Sequence, residues 1–176
     1  MSLKNCMTPD TRDCHDDSPL LMRRGRPDDI DRALDFERHL SPGTRYFRFG
    51  KMQDLGFDRD RLAGLFNPDD DHNIHYIVTI AVDSREIMIA SGRFVIPTAG
   101  STSELLIVVR DDWQRRGVGR RLVTQLCQEA IVRNVHTVYC QVLPTNRRMQ
   151  TFMRSCGFKP AINPCHELLL RFEKLV

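Results

Sequence analysis

Between Leu105 and Arg120 the chain changes character within a few residues, and no other stretch of its 176 residues limits the fold so tightly. Leu105-Leu106-Ile107-Val108-Val109 is continuously apolar, the pattern of a strand buried on both faces, so Ser103 to Arg110 is expected as an interior strand. Asp111-Asp112-Trp113 forms a short connector. From Gln114 the pattern turns helical: Val118, Leu122, Leu126 and Ala130 recur at four-residue steps, and Val123 and Cys127 widen the apolar stripe. Asn134 is expected to stop this helix.

The flanking segments fit the same plan. Leu20 to Arg24 reads as a short strand. Pro27-Asp28-Asp29 starts a helix, with acidic residues where the positive end of the dipole favours them, and the helix runs to about His39. Ser41-Pro42-Gly43 breaks it, Thr44 to Phe49 begins a second helical region, and Leu55 to Phe66 continues that region to Asn67-Pro68. Asn73 to Val82 and Glu86 to Ile96 read as a hairpin around Asp83-Ser84, and Pro97-Thr98-Ala99-Gly100 turns the chain again. Val135 to Leu143 is a strand and Pro144-Thr145-Asn146 a turn. Arg147 to Cys156 is a helix ending at Gly157, and Glu167 to Phe172 a closing strand. The order predicts one α/β domain over residues 20–176, a mixed, mostly antiparallel central sheet with helices on both faces. Residues 1–19, polar and without periodicity, read as a disordered or loosely attached tail.

Composition excludes several classes. Hydrophobic residues make up 41% and charged residues 28%, and 26 Lys+Arg against 23 Asp+Glu leave a net charge of +3. The arginines are scattered rather than gathered on one element, so no nucleic-acid partner is expected. No apolar run approaches the roughly 20 residues of a membrane-spanning helix, and no signal peptide is legible, so neither membrane association nor export is expected. The six cysteines lack CxxC spacing and read as reduced thiols of a cytoplasmic protein. Cys6, Cys14 and His15 could reach one metal ion, but they lie in the polar tail, and no metal is expected. A monomer or a small oligomer such as a homodimer is expected.

One cluster, Arg115, Arg116, Arg120 and Arg121, needs a local explanation. A helix N-terminus presents unpaired backbone N–H groups and the positive end of its dipole, and so suits a phosphate. Gly117 and Gly119 remove side chains that would keep a pyrophosphate from the backbone. Glycine in a helix costs about 1 kcal/mol relative to alanine, and close approach of a ligand accounts for two of them here. A Rossmann fingerprint would need a third glycine and an acidic residue after the next strand, where Pro144-Thr145-Asn146 stands instead. A P-loop would need Gly-Lys-Ser/Thr, which is absent.

Gln114 to Gly119 resembles the hallmark of the GNAT superfamily of N-acetyltransferases, Gln/Arg-x-x-Gly-x-Gly/Ala after a sheet strand. Asn146 and Phe152-Met153-Arg154-Ser155-Cys156-Gly157-Phe158 resemble the family's late motif, an Asn followed by a helix ending in Gly-Phe. A narrower likeness is to the bacterial protein-lysine acetyltransferases of the Pat type. It rests on Ser41-Pro42-Gly43-Thr44-Arg45-Tyr46-Phe47-Arg48-Phe49 and on Glu104, Asp111, Trp113 and Gln114.

The resemblance implies acetyl-CoA as co-substrate, no metal, and direct transfer to the amine of a small molecule or a protein lysine in a ternary complex. It implies that Gln114, Arg115, Arg116, Gly117, Val118, Gly119 and Arg120 anchor the pyrophosphate. Val108, Val109 and Arg110 would offer backbone groups to the pantetheine and the acetyl carbonyl. Glu104 would be the general base; read without the family, it is a strand-end glutamate facing solvent. Asn146 would face the cofactor or merely cap the next helix. Tyr46, Phe47 and Phe49 would border the acceptor site or pack in the core. Met153 stands where many family members carry a thiolate-protonating tyrosine. That departure leaves the general acid open among Ser155, Cys156 and water, and keeps a non-catalytic acyl-CoA sensor as the rival reading.

Overall fold

A computed structural model describes residues 19–49, 59–66, 72–96, 101–163 and 168–176. Among the described residues, seven strands form one sheet in the order β1-β2-β3-β4-β5-β7-β6. They are β1 (Leu21–Arg24), β2 (Asn73–Val82), β3 (Arg85–Val95), β4 (Thr102–Val109), β5 (Thr137–Val142), β6 (Lys159–Ala161) and β7 (Leu170–Leu175). The helices are α1 (Ile30–Arg38), α2 (Pro42–Phe49), α3 (Arg59–Leu65), α4 (Val118–Val132) and α5 (Arg147–Ser155). Each of these pairings is antiparallel except β4 with β5, the two strands joined through α4. The α/β class and the mixed, mostly antiparallel sheet agree with expectation. Most of the expected tail, with Cys6, Cys14 and His15, lies outside the described residues, as do the stretch Leu55 to Asp58, the turn Pro97 to Gly100, and Glu167.

Local chemistry sets the element ends. Asp83 and Ser84 both take positive φ (47° and 63°), the two-residue hairpin turn whose twist matches its strands. Asn134 (φ 56°) closes α4: its amide donates to the Ile131 carbonyl and that of Val135 to Ala130. Gly157 (φ 87°) closes α5 in the same way, with Gly157 donating to Arg154 and Phe158 to Met153. Two expectations shift. Pro42 is the first residue of α2 as well as the end of the previous segment, because a proline loses nothing where the N–H has no intrahelical partner. β6 was not expected at all; it has three residues and pairs only with β7 among the described residues.

The strand buried on both faces is β2, not β4. Residues 73–80 are all buried, whereas Leu106, Ile107, Val108 and Val109 are only half-buried. β2 has β1 and β3 on either side and a core on each face. One core joins Ile74, Val78, Leu105, Leu122, Leu126, Val138, Met153 and Phe172 beneath α4 and α5. The other joins Ala33, Phe36, Leu62, Ile77 and Met88 beneath α1 and α3. Among the described residues no helix is long and apolar enough to cross a membrane.

The second layer is fastened by a buried carboxylate. Asp29 is fully buried and receives Arg23 Nη1 at 2.6 Å, Arg23 Nη2 at 2.8 Å, the Arg26 amide at 2.9 Å and Arg32 Nη1 at 2.9 Å. Arg23 continues to Glu86 at 2.9 Å, which ties β1 to β3. Burial alone would raise the Asp29 pKa. The hydrogen bonds from Arg23 and Arg26 and the charges of Arg23 and Arg32 outweigh it, holding the carboxyl below its ordinary range. A depressed carboxyl pKa stabilises the fold above the unfolded value, and that contribution is lost as pH falls through the folded value. Asp29→Asn should therefore lower stability at neutral pH by about 3–5 kcal/mol, the usual effect of breaking a buried ion pair. In urea titrations its deficit should shrink as pH falls below about 4; a deficit independent of pH would contradict this role.

Candidate functional site

β4 and β5 begin as a parallel pair and then part. They are in register only at Thr102 with Thr137, Ser103 with Val138, and Glu104 with Tyr139. Beyond that point β4 stays with β3 through Val109, and β5 stays with β7. The wedge between them lacks the ladder bonds a continued pair would make. The amide of Arg110 donates to Ile89 across β3, at 2.9 Å. By the alternation of an antiparallel ladder, Val108 also turns its polar backbone toward β3, while Val109 and Ile107 turn theirs toward the split. Consistently, Gln114 Nε2 reaches the Val109 carbonyl at 3.0 Å.

The three strand residues singled out in the sequence thus separate. Val109 faces the split with its backbone, and Val108 contributes its side chain to the α1–α3 side of the sheet. Arg110 is buried, its amide bonded to Ile89 and its guanidinium to Asp112. Ile107 was missed. Its position was available from the two-residue period of the strand, but the register with β3 was not.

Glu104 is the last β4 residue in register with β5, so it stands at the vertex of the split, half-buried and opposite Tyr139. Cys140, the next residue of β5, is buried, and its thiol is pushed up to about 12, first by burial and then by the charge of Glu104 and the neighbouring Cys156. A thiol so hard to ionise is a packing group rather than a nucleophile.

The loop at the mouth is shaped by two left-handed residues, Arg115 (φ 63°) and Gly117 (φ 81°), so α4 begins at Val118 rather than at Gln114. A Cβ on Gly117 would meet nothing within 4 Å, so its surroundings are open. A Cβ on Gly119 would stand 3.3 Å from the Phe152 ring and 3.6 Å from Val109, so Gly119 lets α4 approach α5 and the end of β4. Val118 is buried in the core. Arg116 lies over the Trp113 ring at 4.9 Å, and Arg120 holds the Ser155 carbonyl and hydroxyl at 2.8 and 3.0 Å. Arg115 and Arg121 are exposed. On the other rim, Asn146 accepts from the Met149 amide at 3.1 Å and caps α5, and Arg148 donates to Gln114 Oε1 at 3.1 Å. Gln114 therefore bridges both rims. Met153 is fully buried.

Asp111 explains a pattern seen only as a motif in the sequence. Its carboxylate receives the Ser41 amide at 3.0 Å, the Ser41 hydroxyl at 2.8 Å and the Thr44 hydroxyl at 2.7 Å, capping α2 from about seventy residues away. Of the aromatic residues on α2, Tyr46 is half-buried with its ring 5.5 Å from the exposed Phe47, and the Phe49 side chain lies outside the description. Arg48 instead helps to line a small, solvent-open recess on the α1–α3 side of the sheet.

The model of the acetyltransferase (GNAT) family matches residues 36–158. The chain belongs to that family. Over 140 residues it is 24% identical to Acetyltransferase PA5475 of Pseudomonas aeruginosa, spanning 79% of this chain and 74% of that one. Its fold is similar to the GNAT domain of S. lividans PAT, with a TM-score of 0.74, 21% identity, and coverage of 88% and 89%. It is also similar to a spermidine N-acetyltransferase from Vibrio cholerae solved with CoA and spermine, with a TM-score of 0.69, 18% identity, and coverage of 89% and 95%.

The α2 cap can be tested directly. Burial would raise the Asp111 carboxyl, but hydrogen bonds from the Ser41 amide and from the Thr44 and Ser41 hydroxyls outweigh it and hold the group low. Asp111→Ala should cost about 1 kcal/mol of stability, the usual effect of removing a cap. Amide hydrogen exchange should rise first across 41–45; protection unchanged there would show that α2 is held by other contacts.

Proposed function

We propose that the chain transfers an acetyl group from acetyl-CoA to a primary amine within the split between β4 and β5. The parting of these strands directly after Glu104 carries this reading. It leaves backbone N–H groups facing a cleft with a glycine-opened helix start at one rim, and a pantetheine arm is of a size and polarity to bond them. The pyrophosphate would rest on the amides of Gln114 to Gly119 and the start of α4, where the dipole and the arginines favour negative charge. The left-handed Gly117, with open space around it, supports that placement.

The chemistry follows from positions. An amine at neutral pH is mostly ammonium and cannot attack until it loses a proton. Glu104, half-buried at the vertex, would accept that proton directly or through one water. The amine nitrogen then attacks the thioester carbonyl carbon. A β4 amide facing the split, Val109 or Ile107, would hold the oxyanion; collapse breaks the C–S bond, and the proton that still makes the attacking nitrogen cationic passes to water, giving the neutral amide and CoA thiolate. Met153 has no proton to give, and the Ser155 hydroxyl already donates to the Phe152 carbonyl at 2.7 Å. An alkanethiolate is basic enough at neutral pH to take its proton from water. The missing tyrosine also sustains the second reading, a sensor that binds acyl-CoA without turnover.

Three substitutions test the reading and separate the two functions. Gly117→Glu and Gly119→Glu should abolish CoA binding in calorimetry, through like charge at the pyrophosphate and crowding against Phe152. Unchanged affinity in folded variants would remove the phosphate-loop assignment. Glu104→Gln should retain acetyl-CoA affinity while turnover falls by about 10²–10⁴, with rate recovered at high pH where the amine is already neutral. Full activity in that variant would dismiss Glu104 as base. Tight acetyl-CoA binding with no turnover in the wild type, across amines and peptides, would favour the sensor.

A further inference from the structure

Past Glu104 the two lips of the split are apolar but for one side chain. On β4 they are Leu105 to Val109, and on β5 Cys140, Gln141 and Val142. Leu105, Cys140 and Val142 join the core beneath α4 and α5. By the alternation of a strand, Tyr139 and Gln141 point to the other face. Glu104 and Leu106 share that face on β4 with Val108, which packs against the α1–α3 cluster. Gln141 is thus the one hydrogen-bonding side chain beside Glu104 on either lip.

Its place follows from the register. Glu104 and Tyr139 are the last partners across the parallel pair, and Gln141 stands two residues further along β5. Two residues advance a strand by about 7 Å and neighbouring strands lie about 5 Å apart, so the two Cα atoms are at least about 8 Å from each other. Side chains of this length leave room for one nitrogen between their tips. Gln141 is half-buried, and among the described residues neither its carboxamide nor the Glu104 carboxylate makes a hydrogen bond. The other amide side chains around the split are engaged: Gln114 with Val109 and Arg148, Asn146 with Met149, Gln150 with Pro144. Arg171 on β7 stands opposite Gln141 but leans onto Tyr139, 3.6 Å from the ring centroid, with its Nε 2.6 Å from Glu173. A carboxamide without a partner is costly in an apolar lip that a leucine would fill better, and a ligand that bonds to it accounts for its presence.

We infer that Gln141 positions the acceptor amine, its Oε1 accepting one N–H from the β5 lip while Glu104 takes a proton from the β4 lip. The inference rests on the acetyl-transfer reading. An alkylammonium carries three N–H bonds. Glu104 removes one proton, directly or through one water, and a second N–H held by Gln141 fixes the nitrogen between the lips with its lone pair toward the thioester carbon. Gln141 itself gains and loses no proton. Leu106 on the facing lip offers the alkyl stem an apolar wall.

The test uses butylamine and Nα-acetyl-lysine, followed by CoA release and, separately, by calorimetry on the CoA-loaded protein. Gln141→Met keeps the size and removes the accepting oxygen. It should lower kcat/KM for both amines about tenfold and weaken their binding by a similar factor, the effect of losing one hydrogen bond to a charged group. Acetyl-CoA affinity and melting temperature should stay as they are. Gln141→Glu restores the oxygen and should recover most of the amine binding. It also sets a second carboxylate across the split from Glu104, so the acidic limb of kcat/KM should move to higher pH. Arg93 on β3 and Arg171 and Glu173 on β7, the other charges on this face of the neighbouring strands, are the same in both proteins. Gln141→Thr, well suited to a strand, is the second variant if Gln141→Met does not fold.

A loss that Gln141→Glu does not recover, or an acidic limb that stays in place, would overturn the inference. Turnover indifferent to Gln141→Met would keep acetyl transfer and overturn the positioning role. Amine binding weakened in Gln141→Met, with no turnover in the wild type, would keep Gln141 as the ligand of the amine and overturn acetyl transfer. Failure of both amines to bind or react would overturn both.

Discussion

Backbone hydrogen bonding governs this molecule through one exception to it. A parallel pair of strands normally continues until one strand ends, because an unpaired buried N–H or carbonyl costs about 1–3 kcal/mol. Here β4 leaves β5 after three residues in register, while each keeps its outer partner. The sheet stays whole on both sides, and the polar groups along the break are presented to whatever enters. The half-buried state of Leu106 to Val109 follows directly. An apolar run that looks like core is instead the wall of a cleft on one side and the floor of a pocket on the other.

Several contacts hold the rims at their separation. Gln114 is bonded to the end of β4 and to Arg148 of α5, so one side chain spans the mouth. Gly119 permits α4 to approach Phe152, and Arg120 ties the far end of α5 back to α4. Asp111 carries the linkage across the sheet edge to α2. The loop that begins α4 is thus joined to both rims and, through Asp111, to the helix that supplies Arg48 to the pocket.

The two faces of the sheet do different work. Beneath α4 and α5 a large apolar cluster packs, with the buried Gln150 bonded to the Pro144 carbonyl and Tyr76 to Glu129. Beneath α1–α3 an apolar cluster sits beside Arg23, Asp29, Arg93 and His75, and the carboxylate of Asp29 is matched by two arginines and an amide. Polar groups on that face line a small solvent-open recess.

The amino-acid sequence alone determined what short-range physics controls. Helix ends at Asn134 and Gly157, the Asp83-Ser84 hairpin, the strand-to-helix switch and the glycines of the loop depend on neighbours within a few residues; Asn146 read equally as a cap or a cofactor contact, and the structure shows it capping α5 through the Met149 amide. The order of elements and the family likeness rest on those local signals. Tertiary structure decided everything that depends on register. It sets the residue at which β4 and β5 part, the direction in which Ile107, Val109 and Arg110 turn their amides, and the exchange of the most buried strand from β4 to β2. It also brought Asp111 to Ser41 and Thr44. A shift of one residue in pairing would reverse every one of these faces without changing a single local preference. Pairings between segments far apart in the chain are fixed by the packing of both layers at once, so they become visible only when the sheet is assembled.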